Sequence, residues 1–253
     1  MRILLTNDDG IYAPGLLALA QALQPLGEVF VVAPERPRSA SGHSITLHKP
    51  LRIEETRLPD GQRAWATSGT PADCVTLGLD VVMEGRADML FSGINAGSNL
   101  GWDLTYSGTV AAAIEGAILG LPSVAVSVVE NGSDRDFEPA VRFSRRLAEA
   151  IRDNGMERWT LLNVNVPALP QERIRGVTVT HQGRRQYVDR IDRRVDPWGR
   201  AYYWLRGSLK EETPDEGSDV HAILEDRISV TPVHLDMTAY SLIAPMREWN
   251  LEG

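Results

Sequence analysis
The chain carries one cysteine, Cys74, in 253 residues. No intramolecular disulfide can form, and zinc sites built from several thiolates are excluded. A lone free thiol suits a reducing compartment, so a cytoplasmic location is expected. The N-terminus has one basic residue and a short apolar stretch that runs straight into two acids, which is not a signal-peptide pattern. Positive charge is scarce: 26 Lys and Arg face 34 Asp and Glu, for a net charge of −8. Stable nucleic-acid binding relies on a basic surface and is not expected. A small phosphorylated substrate stays compatible if a local cation or a set of donors receives it.

Several familiar signatures are missing too. The glycines of "GINAGSNLG" have the wrong spacing for a dinucleotide fingerprint, and no Gly-Lys-Ser/Thr phosphate loop occurs. The five histidines are scattered, and isolated ones such as His43 or His234 read as surface or core residues. "GTVAAAIEGAILGLPSVAVSVV" (Gly108–Val129) is long enough to cross a bilayer. It contains Glu115 and is broken by Gly120 and Pro122, so it reads as a buried helix followed by a buried strand. No membrane association is expected.

What is present is alternation of strand-like and helix-like segments. Residues 2–6, "EVFVVAP", "DMLFSGIN", "PSVAVSVV" and "TLLNVNVP" read as strands. "PGLLALAQALQPLG", "TPADCVTLGLDVVME" and "EPAVRFSRRLAEAIRDNG" read as helices, the first two with proline in the first turn. "ITLHKPLRIEETRL" and "RAWATSG" suggest an antiparallel excursion around Asp60-Gly61. Apolar runs without alternation belong to strands covered on both faces. The expected fold is therefore α/β: a Rossmann-like, mostly parallel sheet flanked by helices, with a strand-rich C-terminal appendage. Residues 1–166 form the expected catalytic core. Residues 167–253 form an extension with a turn near Asp196–Gly199, a strand "RISVTPV" and a final helix in "TAYSLIAPMREWN", expected to mediate assembly.

Polar residues gather where three expected strands end: Asn7-Asp8-Asp9-Gly10, "PERPRSASGHS" and Ser92-Gly93-Ile94-Asn95. In a parallel sheet these tips share one edge, the edge at which open α/β sheets bind ligands. Two carboxylates about 5 Å apart at an effective dielectric of about 20 repel by about 3 kcal/mol. Water, a shared proton or a cation must offset that. The turn at Gly10 releases Asp8 and Asp9 from strand geometry, so both can face one ion, and oxygen donors suit Mg²⁺ or Mn²⁺. The other reading of this stretch is that Asp9 serves a turn or cap while Asp8 is solvated. Ser107-Gly108-Thr109 opens a small-residue helix, whose free N–H groups and dipole can receive a phosphate. There the alternative is that Ser107 or Thr109 only caps the helix.

In this order, "ILLTNDDG", "VVAPERPRSASGHSIT", "SGTPADCV", "SGINAGSNLG", "YSGTVAAAIEG" and, in the appendage, "RISVTPVHLDMT" closely resemble the SurE family of survival-protein nucleotidases. The resemblance covers nearly the whole chain. It implies a divalent-metal-dependent phosphatase acting on nucleoside 5′- and 3′-monophosphates, with some members also trimming short polyphosphate. It implies one cation per subunit held by Asp8, Asp9, Ser39 and Asn95. Asp8 and Asp9 are also the expected catalytic residues, one or other of them taking the proton of the attacking water. The resemblance also implies a dimer or tetramer formed through the C-terminal portion. Loops 35–50 and 181–217 vary most in character, so substrate choice is what the resemblance specifies least. Two rival classes remain to be discriminated. A haloacid-dehalogenase-type phosphatase with Asp8 as nucleophile wants an acid where Gly10 stands. A receiver-like module wants an aspartate where Asn95 stands.

Overall fold
The computed structural model describes residues 1–129, 136–185, 187–188, 191–205, 207–209, 214–249 and 251. Residues 186, 189–190, 206 and 210–213, within loop 181–217, lie outside the described residues.

The strands are β1 (Arg2–Thr6), β2 (Glu28–Pro34), β3 (Ile53–Arg57), β4 (Arg63–Thr67), β5 (Met89–Ala96), β6 (Ser123–Val129), β7 (Thr160–Pro167), β8 (Val177–Val179), β9 (Tyr187–Val188), β10 (Ile191–Val195), β11 (Ala201–Leu205), β12 (Ser208–Leu209) and β13 (Ile228–His234). The helices are α1 (Pro14–Leu23), α2 (Pro71–Leu77), α3 (Gly108–Ile118), α4 (Glu138–Asn154), α5 (Asp219–Leu224) and α6 (Tyr240–Arg247). Nine strands form one sheet in the order β3-β4-β2-β1-β5-β6-β7-β13-β8. The run from β4 to β7 is parallel throughout, as the unbroken apolar runs require. Antiparallel pairings occur where β3 meets β4 and where β13 meets β7.

Alternation along β1 explains the layering. Ile3 and Leu5 join Leu16, Leu19, Ala148 and Ile151 of α1 and α4 on one face. Leu4 points the other way, into a cluster with Cys74 and Val75 of α2 and Ala112 of α3. The sheet is thus covered on both faces. Cys74 is fully buried here, and that burial pushes its thiol up to about 12, so the lone cysteine is a neutral core residue. The apolar stretch from 108 to 129 divides into buried α3 and buried β6. Among the described residues, no helix is long and apolar enough to cross a membrane.

Two local expectations differ. Only Ile53–Arg57 of "ITLHKPLRIEETRL" is a strand. Residues 44–46 are held by side chains instead: Thr46 N–H and Oγ1 donate to Asp73, and Thr70 Oγ1 donates to the Ser44 carbonyl. Helix α5, six residues capped by Ser218, was not expected, because one short turn carries no periodic signal.

The residues after 167 fall into two kinds. β8 and β13 complete the edge of the main sheet, whereas β10 and β11 form a separate hairpin. That hairpin is almost wholly solvent-exposed, with Trp198, Tyr203, Trp204 and Leu205 all open.

Candidate active site
Strand order places the site. From β1 the chain moves to β2 and β4 on one side, then crosses to β5 on the other. The carboxyl ends of β1 and β5 therefore flank the point where the winding reverses, which is where such sheets open a crevice. Asp8 and Asp9 follow β1, and Asn95 lies at the end of β5.

Local contacts then fix each group. Asn7 is fully buried; its amide donates to the Gly10 carbonyl at 3.0 Å and accepts from Gly10 N–H at 3.2 Å. This closes the turn that frees the aspartates from strand geometry. Gly10 adopts φ +98°, a conformation in which a side chain would be strained. Arg38 N–H donates to the Asp8 carbonyl at 2.7 Å, so the segment after β2 lies against the turn and delivers Ser39 beside it. On β5, the pairing with β6 shifts register between Ser92 and Asn95, a bulge at the strand end of the kind that re-aims side chains. The Asn95 amide nitrogen donates to the Gly97 carbonyl at 2.8 Å, which leaves its carbonyl oxygen available.

Asp8, Asp9, Ser39 and Asn95 line a single pocket of about 360 Å³, together with Ser98, Asn99, Asp103, Tyr106 and Ser107. Asp8 is buried and Asp9 half-buried. Burial pushes the Asp8 carboxyl up to about 6; the Thr109 hydrogen bond opposes this rise and the Asp9 charge adds to it. The four convergent groups offer only oxygen, a donor set that suits a hard divalent cation. Among the described residues there is no cluster of three or more His, Cys, Asp or Glu side chains placed to bind a metal. A cation here would rest on two carboxylates plus neutral oxygens.

The start of α3 supplies the opposite wall, and its three residues do different things. Ser107 caps the helix, its hydroxyl accepting from Val110 N–H at 3.1 Å. Thr109, fully buried, donates its hydroxyl to Asp8 Oδ1 at 2.5 Å. At Gly108 a Cβ would stand 2.8 Å from Asp8 Cβ and 2.9 Å from Ser41 Oγ, so the missing side chain lets Asp8 lie against the helix. Among the described residues no acceptor meets the Gly108 N–H, whereas the Thr109 N–H, like its hydroxyl, faces the Asp8 carboxylate and opposes the rise in its pKa.

The sequence reading missed the framework behind this pocket. Asn163 and Asn165 of β7 both donate to the Asn99 carbonyl, and Asn165 Oδ1 accepts from Asn99 N–H. Two asparagines at alternate positions of an otherwise apolar strand were the available signal. Asp219, fully buried, accepts from Gly101 N–H at 2.8 Å and from Gly183 N–H at 2.9 Å, fastening the C-terminal extension to the pocket wall.

The family model "Survival protein SurE" matches residues 3–189. The chain belongs to the SurE family. Among its relatives, a protein named 5′-nucleotidase SurE from Geobacter sulfurreducens is 48% identical over 253 residues, covering 100% of this chain and 95% of that one. One of the same name from Moorella thermoacetica is 50% identical, over 95% of this chain and 93% of its own. The crystal structure of the SurE protein from Aquifex aeolicus superposes with a TM-score of 0.87 at 41% identity, covering 98% of this chain and 99% of the other. Both the α/β architecture and the family expected from the sequence are thereby established.

Proposed function
We propose that this chain is a phosphomonoesterase that hydrolyses nucleoside 5′- and 3′-monophosphates to nucleoside and phosphate with one bound Mg²⁺ or Mn²⁺, and that it also trims short polyphosphate. The observation that carries this reading is the convergence of Asp8, Asp9, Ser39 and Asn95 in one pocket with Ser107 at the start of α3. The printed names of the full-length relatives, 5′-nucleotidase SurE, support the nucleotidase part.

In this reading the two carboxylates, with the oxygens of Ser39 and Asn95, hold the cation. Their charge against a dication leaves the pocket near neutrality, so a phosphate dianion is not repelled. When bound, the cation supplies Lewis-acid polarisation of the phosphoryl group and acidifies water. The Gly108 N–H holds a phosphate oxygen from the other side, where charge builds in the transition state. Ser107 keeps the helix start in place. Thr109 holds Asp8 through its hydroxyl. Asp9 is less buried than Asp8 and has no protein hydrogen bond among the described residues; its carboxylate takes the proton of the attacking water.

The chain acts as a homodimer or homotetramer in the cytoplasm. The exposed aromatic hairpin β10–β11 supports the assembly, since large aromatic residues are favoured at interface cores.

A panel of 5′- and 3′-monophosphates and short polyphosphate, assayed after dialysis against EDTA and again with Mg²⁺ or Mn²⁺, tests the reading. Turnover should vanish on chelation and return with metal. Full activity in excess EDTA would remove the cation from the mechanism, and inactivity on every nucleotide would refute the nucleotidase assignment.

A further inference from the structure
The pocket that holds Asp8, Asp9 and Asn95 is also lined by Ser98, Asp103 and Tyr106. The two oxygens of the Asp103 carboxylate differ. Oδ2 accepts from Arg185 Nη1 at 2.9 Å and from Tyr187 Oη at 2.7 Å. Among the described residues no donor reaches Oδ1. Arg185 Nη1 also donates to Ser98 Oγ at 2.8 Å, so the guanidinium ties both wall residues together. The Asp103 and Arg185 side chains are only 19% and 18% exposed, which makes this pair more than a surface contact.

An ionised carboxylate only accepts hydrogen bonds. Whatever meets Oδ1 must donate, which rules out a phosphate oxygen or a base carbonyl. With the phosphate beside Asp8, Asp9 and Asn95, the donor-bearing part of a nucleoside monophosphate nearest to hand is the sugar with its hydroxyls. Acidic residues take up ribose hydroxyls in dinucleotide-binding α/β folds by the same chemistry.

We propose that Asp103 is a specificity-determining residue whose carboxylate accepts hydrogen bonds from the ribose hydroxyls of the substrate, with Arg185 and Tyr187 as positioning residues that occupy the other oxygen. The proposal rests on the nucleotidase reading above and deepens it. It also gives the C-terminal extension a part in substrate choice, because Arg185 and Tyr187 both lie beyond residue 167.

The test compares 5′-AMP with its 2′,3′-dideoxy analogue, which has the same base and phosphate but no sugar donors. A hydrogen bond to a charged group carries about tenfold or more in kcat/KM, and the wild type should prefer AMP by that factor. Asp103→Ala should bring the ratio close to one, and Arg185→Met should lower it. A purely structural role would slow both substrates equally and leave the ratio alone. If circular dichroism shows Asp103→Ala unfolded, Asp103→Asn serves, with the ratio falling at least several-fold. A wild-type ratio near one, or a ratio unchanged in a folded Asp103 variant, overturns the proposal while leaving AMP hydrolysis standing. Failure to hydrolyse any nucleoside monophosphate, AMP included, with any divalent metal overturns the nucleotidase reading and this proposal together.

Discussion
Thr109 Oγ1 donates a hydrogen bond to Asp8 Oδ1, joining two residues 101 positions apart in the chain. The bond crosses from the first turn of α3 to the loop after β1, so it locks one wall of the pocket to the other. Thr109→Val keeps the packing and removes the donor. A hydrogen bond to a charged group is worth about 1.5–3 kcal/mol. The kcat/KM of the valine variant should therefore fall about 10- to 100-fold, while Thr109→Ser keeps most of the wild-type rate. Steady-state kinetics with a manganese titration of both variants checks this. A valine variant with unchanged kinetics would leave the bond without a part in function.

Asp8→Asn should raise the thermal stability of metal-free protein in a pH-dependent way. In the folded state, burial lifts this carboxyl from an ordinary 3.8 to about 6. The folded state therefore holds the proton more tightly than the unfolded chain. The resulting contribution is present in full below the ordinary value and is lost as pH rises through about 6. At pH 8 the ionised group costs at most about 3 kcal/mol, a shift of several degrees in Tm. The Tm advantage of the asparagine variant should be largest at pH 8, shrink as pH falls through about 6, and close only below about pH 4. Scanning calorimetry in EDTA across that range would show the opposite trend, or none, if burial of Asp8 were immaterial.

Gly108→Ala tests the close approach of helix and aspartate. Alanine is the better helix former by about 1 kcal/mol, so propensity alone predicts a more stable protein. The added methyl group would instead stand 2.8 Å from Asp8 Cβ. The variant should keep its far-UV circular dichroism, lose stability and lose most of its activity. A more stable and fully active variant would show that Asp8 does not need to lie against α3.

The β10–β11 hairpin should be covered in solution. Trp204 is 58% exposed and Leu205 89%. Light scattering at micromolar concentration should give a dimer or tetramer, and Trp204→Glu should shift it toward monomer. A wild-type monomer would refute the assembly.

The sequence made the ends of β1 and β5 legible because the apolar runs there stop abruptly at polar residues, and a parallel sheet must bring such ends together. It also made the helix start at Ser107 legible, but not how its parts divide. The Ser107 hydroxyl, the Gly108 backbone and the Thr109 hydroxyl meet different partners, and those partners are set by tertiary packing. Asn7 was legible only as one of the polar residues at the end of β1; that its side chain shapes the turn carrying the aspartates was not. Asp103, Arg185 and Asp219 lay beyond reach for a different reason. Arg185 reaches Asp103, and Asp219 reaches Gly101, only because the chain returns after residue 167 to this wall of the pocket, and no local pattern announces that return.

The Asp219 clasp bears on the order in which the protein is made. A nascent chain that has just passed Thr109 already holds Asp8, Asp9, Ser39 and Asn95, but the carboxylate that fastens Gly101 and Gly183 comes more than a hundred residues later. Synthesis thus yields the Asp8, Asp9, Ser39 and Asn95 side of the pocket first and the carboxylate that fastens its rim only later. A truncated product stopping short of Asp219 would carry the donor oxygens beside a wall that lacks this fastening.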